Sequence, residues 1–149
     1  MKRILHFLSS YINQEVIESK VHIIKDAFRA DVCFDDVPEK PGIYIMIAKE
    51  SGFIYPYGKS AVFYIGTSKD LKKRLKTHLR LYNRAKNDYE NHNWHYSRYN
   101  YAIAFGTDIY FMRITGRENE KDLESKAIEG FYDKYGALPV GNGAFSFRT

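Results

Sequence analysis

Apolar residues recur along this chain at two periods, and the alternation between them divides it into helical and extended segments. Leu5, Leu8, Ile12 and Val16 are spaced by three or four, and Ile17, Val21, Ile24 and Phe28 repeat that spacing on a shifted face. This predicts helix in two pieces over residues 4–29. The run Asp35-Asp36-Val37-Pro38-Glu39-Lys40-Pro41 then ends helical structure, because proline removes a backbone donor and biases the residue before it toward extended geometry. Beyond it, Gly42-Ile43-Tyr44-Ile45-Met46-Ile47 and Val62-Phe63-Tyr64-Ile65-Gly66 have the β-branched and aromatic content of two paired strands. Their connector, with Glu50-Ser51-Gly52 and Tyr55-Pro56-Tyr57-Gly58-Lys59-Ser60, reads as an extended loop or a further short hairpin.

Thr67-Ser68-Lys69-Asp70 resembles a capping box, and Leu71, Leu75, Leu79 and Tyr82 follow at helical spacing. Asp108 to Ile114 alternates as a strand, with Ile109, Phe111 and Arg113 opposite Tyr110, Met112 and Ile114. A last helix is predicted from Lys121 to Tyr135, turning Leu123, Ala127, Ile128 and Phe131 inward and stopping at Gly136. The segment from Leu138 to Phe147 is too apolar for a free tail and is expected to pack back. The pattern describes one α/β (α+β) domain over residues 1–149, with residues 1–35 as a helical N-terminal extension.

Composition narrows the function. A chain of 149 residues buries a core without covalent staples, and the lone Cys33 excludes an intrachain disulfide or a CxxC pair, which fits a reducing cytoplasmic setting. No apolar stretch has the length of a membrane span, and the short run after Lys2 and Arg3 is broken by His6, so no signal-peptide core is expected. The formal charge of +5 is modest, but its placement is uneven. Lys69, Lys72, Lys73, Arg74, Lys76, Arg80, Arg84 and Lys86 crowd one segment in which Asp70 is the only acid. Tyr82, Tyr89, Trp94, Tyr96, Tyr99 and Tyr101 interleave or follow. Cations that neutralise phosphates beside rings that pack on sugars or bases suit nucleic acid. For each tyrosine taken singly, core packing is the plainer reading.

Within this framework a few side chains carry chemistry. Arg74 and His78 are four positions apart and so share a side of their helix, flanking the leucine stripe. Glu124 lies four before Ile128 and seven before Phe131, at the margin of an apolar face, whereas Glu129 shares its side with Tyr132 and Asp133. Cleaving a phosphodiester needs an activated water, positive charge near the non-bridging oxygens, and stabilisation of the departing oxygen. Arginine binds phosphate without losing its charge, and a carboxylate can hold a divalent ion. Tyrosine as a base needs assistance, since a phenol with a pKa of about 10 is only about one-thousandth ionised at neutral pH. His92 and His95 have no acidic or cysteine ligand beside them and make a weak metal site, and His6 and His22 receive no role.

The ordered set Gly42-Ile43-Tyr44, Tyr64-Ile65-Gly66, then Arg74 and His78, with Glu124 and Asn142 downstream, resembles the GIY-YIG nuclease family over residues 41–143. The resemblance implies a small three-stranded antiparallel sheet flanked by helices and a divalent-metal-dependent endonuclease acting on DNA, with RNA as a further possible substrate. It implies Mg²⁺ or Mn²⁺ on Glu124, Tyr44 as the activator of water, and Tyr64 and His78 as its assistants. Arg74 is implied as the phosphate ligand and Asn142 as a brace of the site. Lys69, Lys72, Lys73, Lys76, Arg80 and Arg84 are the expected nucleic-acid contacts. A monomer or a homodimer fits. The rival readings are a catalytically silent nucleic-acid-binding module of the same fold and a protein-interaction domain.

Overall fold

In the computed structural model, residues 5–8, 18, 20–90, 97–116 and 119–142 are described. Among the described residues, six strands and three α-helices follow one another: β1 (His22–Ile24), β2 (Gly42–Ala48), β3 (Phe53–Tyr55), β4 (Gly58–Ser60), β5 (Val62–Ser68), α1 (Leu71–Glu90), α2 (Ser97–Phe105), β6 (Thr107–Arg113) and α3 (Glu120–Tyr135). Four strands make an antiparallel sheet in the order β1-β6-β2-β5. The connector between the two long strands is a hairpin of its own, β3 with β4.

Strand β2 is the hub, hydrogen-bonded to β5 on one side and β6 on the other. Its alternation sorts the core into two layers. Ile43, Ile45 and Ile47 face α3 through Leu123, Ala127, Ile128 and Phe131. Tyr44, Met46 and Ala48 face α1 and α2 through Leu71, Leu75 and Ala102. On β6, Ile109 and Phe111 join the α1 layer while Met112 and Tyr110 join the α3 layer, as the alternation predicts.

Strand β5 departs from strict alternation. Met46 pairs with Tyr64 but Ile47 pairs with Val62, so Phe63 is an extra residue in the ladder. This bulge puts Phe63 and Tyr64 in the same layer, and a bulge is a common way of re-aiming a side chain near a site. The glycines of both tripeptides are fixed by close approach. A Cβ on Gly42 would sit 2.7 Å from the Met112 carbonyl oxygen, and one on Gly66 would sit 2.5 Å from Cζ of Tyr44.

Helix α1 is capped three residues later than the sequence suggests. Asp70 itself accepts from the Lys73 N–H at 3.0 Å, and Ser68 accepts from the Asp70 N–H, so Asp70 is the N-cap and not the far end of a capping box. The Leu71 and Lys72 N–H groups donate to carbonyls of Lys40 and Pro38. Helix α3 runs from an Asn119 cap to Gly136, which adopts the left-handed conformation at φ 78°.

The N-terminal segment corrects the sequence reading. Residues 22–24 form an edge strand on β6 and the sheet has four strands where three were expected, so a wholly helical 1–35 extension does not hold. Val21 packs in the α3 layer and Ile24 in the α1 layer, so residues that share a helical face on paper lie on opposite faces of a sheet. His22 stacks on Phe111 at 4.9 Å, and Asp26 at φ 50° turns the chain away while its N–H donates to Asp108. Phe7 and Leu8, in a 3-10 turn, are buried against α3. The remainder of the first predicted helix lies outside the described residues, as do His92, His95, Trp94, Tyr96 and the end of the apolar tail.

Candidate active site

Tyr44 and Tyr64 project from neighbouring strands into the α1 layer, their rings 6.0 Å apart. Leu71 and Leu75 seat α1 on the sheet, and the same helix then carries His78 over both phenols, 3 % exposed. Its Nε2 lies 2.7 Å from the Tyr44 hydroxyl, and its Nδ1 lies 2.7 Å from the hydroxyl of Tyr99 on α2. Burial, then the charges of Arg98 and Arg74, push the His78 pKa down to about 3. The imidazole is therefore neutral near pH 7 and has one donor and one acceptor nitrogen. One phenol must donate to it and the other must accept from it. In the tautomer whose Nδ1–H donates to Tyr99, Nε2 accepts the Tyr44 proton; in the other the two roles exchange.

Tyr44 is only 1 % exposed. Burial, followed by the adjacent Tyr64 phenol, raises its pKa well above 10, and the Arg74 charge offsets this only in part. Tyr99 is pushed up to about 12, again mainly by burial. Both phenols are thus protonated at neutral pH and form, with His78, a buried chain of proton-bearing groups. The route outward passes Tyr64, Glu124 and Arg74, since Glu124 is half-buried and Arg74 exposed.

Glu124 belongs to α3, on the opposite layer from the phenols, and reaches the site around the open edge of β5. Its Oε1 accepts from the Thr67 N–H at 3.2 Å, while the Thr67 hydroxyl donates to the Glu120 carbonyl. The same edge is covered further along by residues 139–142. Gly141 N–H donates to Phe63, and the Asn142 side chain accepts from the Ile65 N–H at 3.0 Å and donates to the Ile65 carbonyl at 2.9 Å. Asn142, 7 % exposed, therefore acts as a one-residue partner for β5.

Burial raises the Glu124 pKa above the usual carboxylate range, and the Thr67 N–H, Arg74, Arg98 and Lys121 counter it in that order. A carboxylate held in this way gains from a cation at its remaining oxygen. Among the described residues no group of three or more His, Cys, Asp or Glu side chains that could hold a metal ion gathers.

The cations sort along α1. Ser68, Lys69, Asp70, Lys73, Arg74 and Thr77 line a cleft of about 350 Å³, and Lys72, Lys73, Lys76, Thr77 and Arg80 line a second of about 450 Å³ with Glu39 and Asp70. Lys72 lies 3.8 Å from Glu39 and Lys76 3.6 Å from Asp35, so these two charges are partly offset. Arg84 is exposed beyond both clefts. Of two further residues of the cluster, Arg98 is not marked by the sequence and Tyr99 is marked only as one ring of the aromatic set that follows the basic segment. Arg98 is one cation among many and Tyr99 one tyrosine of thirteen, and only the packing of α2 on α1 brings them to His78 and Tyr64.

No protein-family model matches this chain, and no curated protein or solved structure matches it.

Proposed function

We propose that this chain is a divalent-metal-dependent endonuclease that hydrolyses DNA phosphodiesters, of the GIY-YIG type its sequence resembles. The observation that carries the reading is convergence: Tyr44, Tyr64 and His78 from one layer and Glu124 from the other meet at the open edge of β5, with Arg74 at the rim. The clefts along α1 continue from Arg74 as a basic track for the flanking backbone.

The roles follow from the groups present. Arg74 pairs with a non-bridging oxygen of the phosphate and stabilises the charge that builds there. Glu124 would hold Mg²⁺ or Mn²⁺, which when bound supplies charge for the leaving oxygen and acidifies nearby hydroxyls. The Tyr64 phenol, nearer to solvent than Tyr44, positions the attacking water. As the water attacks, its proton goes to the Tyr44 oxygen while Tyr44 passes its own proton to Nε2 of His78, the imidazole being in the tautomer whose Nδ1–H donates to Tyr99. Burial first, and then the charges of Arg98 and Arg74, make His78 a weak acceptor in the free protein. A phosphate that neutralises these guanidiniums removes part of that depression, so substrate binding itself makes the imidazole more basic.

Incubation of supercoiled plasmid with the purified protein tests the reading: nicking in Mg²⁺ that stops in chelator is expected. Folded Tyr44→Phe, Arg74→Ala and Glu124→Gln variants that all cut like the wild type would refute it. The second reading, a nucleic-acid-binding module without turnover, draws on the enclosure of Tyr44 at 1 % exposure and its raised pKa. Salt-sensitive DNA or RNA binding with no cleavage in any divalent ion would establish it.

A further inference from the structure

Besides Arg74, whose charge acts on Tyr44, a second guanidinium stands over the Tyr64 ring. The Arg98 Cζ lies 4.3 Å from the centroid of the Tyr64 ring, a cation–π geometry that fixes the head of a long side chain. Its stem is packed as well: a Cβ built on Gly141 would come within 3.2 Å of Arg98 Cβ, so residue 141 lies against it. The next residue, Tyr99, is anchored to His78 at 2.7 Å, and this sets the register of α2 against the site. Neither Arg98 nor Arg74 has a carboxylate within 4 Å among the described residues. Both nevertheless act electrostatically on the same three groups, His78, Tyr99 and Glu124.

A half-buried arginine packed on a ring has already lost much of its side-chain entropy, which makes a bound anion cheaper to hold. A phosphodiester has two non-bridging oxygens, and both gain charge on attack, so two fixed guanidiniums match it better than one. From the cation–π seat on Tyr64 and the Tyr99–His78 contact that sets the register of α2, we infer that Arg98 is a second phosphate-binding residue, gripping with Arg74 the phosphate that is cut. The inference rests on the nuclease reading for its substrate. It also gives the Tyr64 ring a task separate from its hydroxyl, that of seating Arg98.

The test compares wild type with Arg98→Gln, Arg98→Lys and, as a remote control on the exposed hairpin, Lys59→Gln. Binding of a fluorescein-labelled DNA duplex is titrated over a salt series in chelator, and cleavage is measured at saturating DNA in Mg²⁺. Arg98→Gln is expected to lower the salt slope by about one ion and the saturated rate by about 10- to 100-fold. Arg98→Lys should keep the slope but not the rate, and Lys59→Gln should change neither. An Arg98→Gln protein with the wild-type unfolding midpoint and an unchanged slope, or an unchanged saturated rate, overturns the assignment. Should Arg98→Gln fail to fold, Arg98→Lys decides: a rate equal to wild type refutes the two-pronged grip. Wild-type protein that binds but never cuts defeats the nuclease reading and leaves Arg98 to be judged by the slope alone. Protein that binds no DNA at low salt defeats both.

Discussion

Asn142 satisfies both backbone groups of Ile65 with one side-chain amide, accepting from the N–H at 3.0 Å and donating to the carbonyl at 2.9 Å. The edge of β5 would otherwise leave those groups buried without partners, at about 1–3 kcal/mol each. Asn142→Ala should therefore cost about 2–4 kcal/mol in urea unfolding. Asn142→Asp keeps the acceptor but sets a carboxylate against the Ile65 carbonyl, so its loss should shrink as pH falls and the acid regains a donor. Equal urea midpoints for wild type and Asn142→Ala would mean that the clamp contributes nothing.

Gly66 is tied to Tyr44 by contact, not by backbone conformation. A methyl there would lie 2.5 Å from Cζ of a ring that is 1 % exposed and hydrogen-bonded to His78, so the ring has no space into which to retreat. Gly66→Ala should cost about 2–3 kcal/mol as overpacking and uncouple Tyr44 from His78. In a Tyr44→Leu background the same substitution should cost much less, and the double-mutant cycle measures that coupling. Additive losses would place the strain elsewhere.

The legible part of this protein was what repeats along a strand or a helix. Alternation in β2 and β6 and the Leu71, Leu75, Leu79 stripe reflect burial that local spacing records, and the two tripeptides with Arg74, His78 and Glu124 were readable because each occupies a marked place on such an element. Strand β1 was not, because three residues on a sheet edge take their conformation from β6, and Val21 and Ile24 fit a helical spacing equally well. Helix α2 has no clear apolar stripe, so Arg98 and Tyr99 gave no sign of their position. The clamping role of Asn142 depends on β5 having an open edge, which strand order alone determines.

The His78 environment makes a pH prediction. Its folded pKa, about 3, lies below the ordinary 6.5, so between those values the unfolded chain binds the extra proton. Stability contributed by the neutral imidazole is present above pH 6.5 and is lost as pH falls toward 3, by up to about 1.4 kcal/mol per pH unit. Glu124, with a raised pKa, acts in the opposite sense: it favours the folded state once protonated and loses that contribution as pH rises through its folded pKa. Urea midpoints for wild type should fall as pH drops below 6.5, with Glu124 opposing the fall in part, and His78→Gln should flatten that slope. An identical slope in His78→Gln would show that the imidazole is not the group titrating.

Glu124→Gln separates the charge of this side chain from its structural bond. The amide oxygen of glutamine can still accept from the Thr67 N–H, which the carboxylate does at 3.2 Å, and the half-buried position no longer carries a desolvated charge. Folding should be kept or slightly improved, because burial already disfavours the ionised acid. Divalent-ion-dependent cleavage should fall by at least about 100-fold, and Mg²⁺ should no longer raise the unfolding midpoint as it does when an ion binds only the folded state. DNA binding in chelator should hold or strengthen, since one negative charge has left the neighbourhood of Arg74 and the lysines of α1. A variant that unfolds would assign Glu124 to the β5 edge alone. One that cuts normally in Mg²⁺ would remove it from the chemistry altogether.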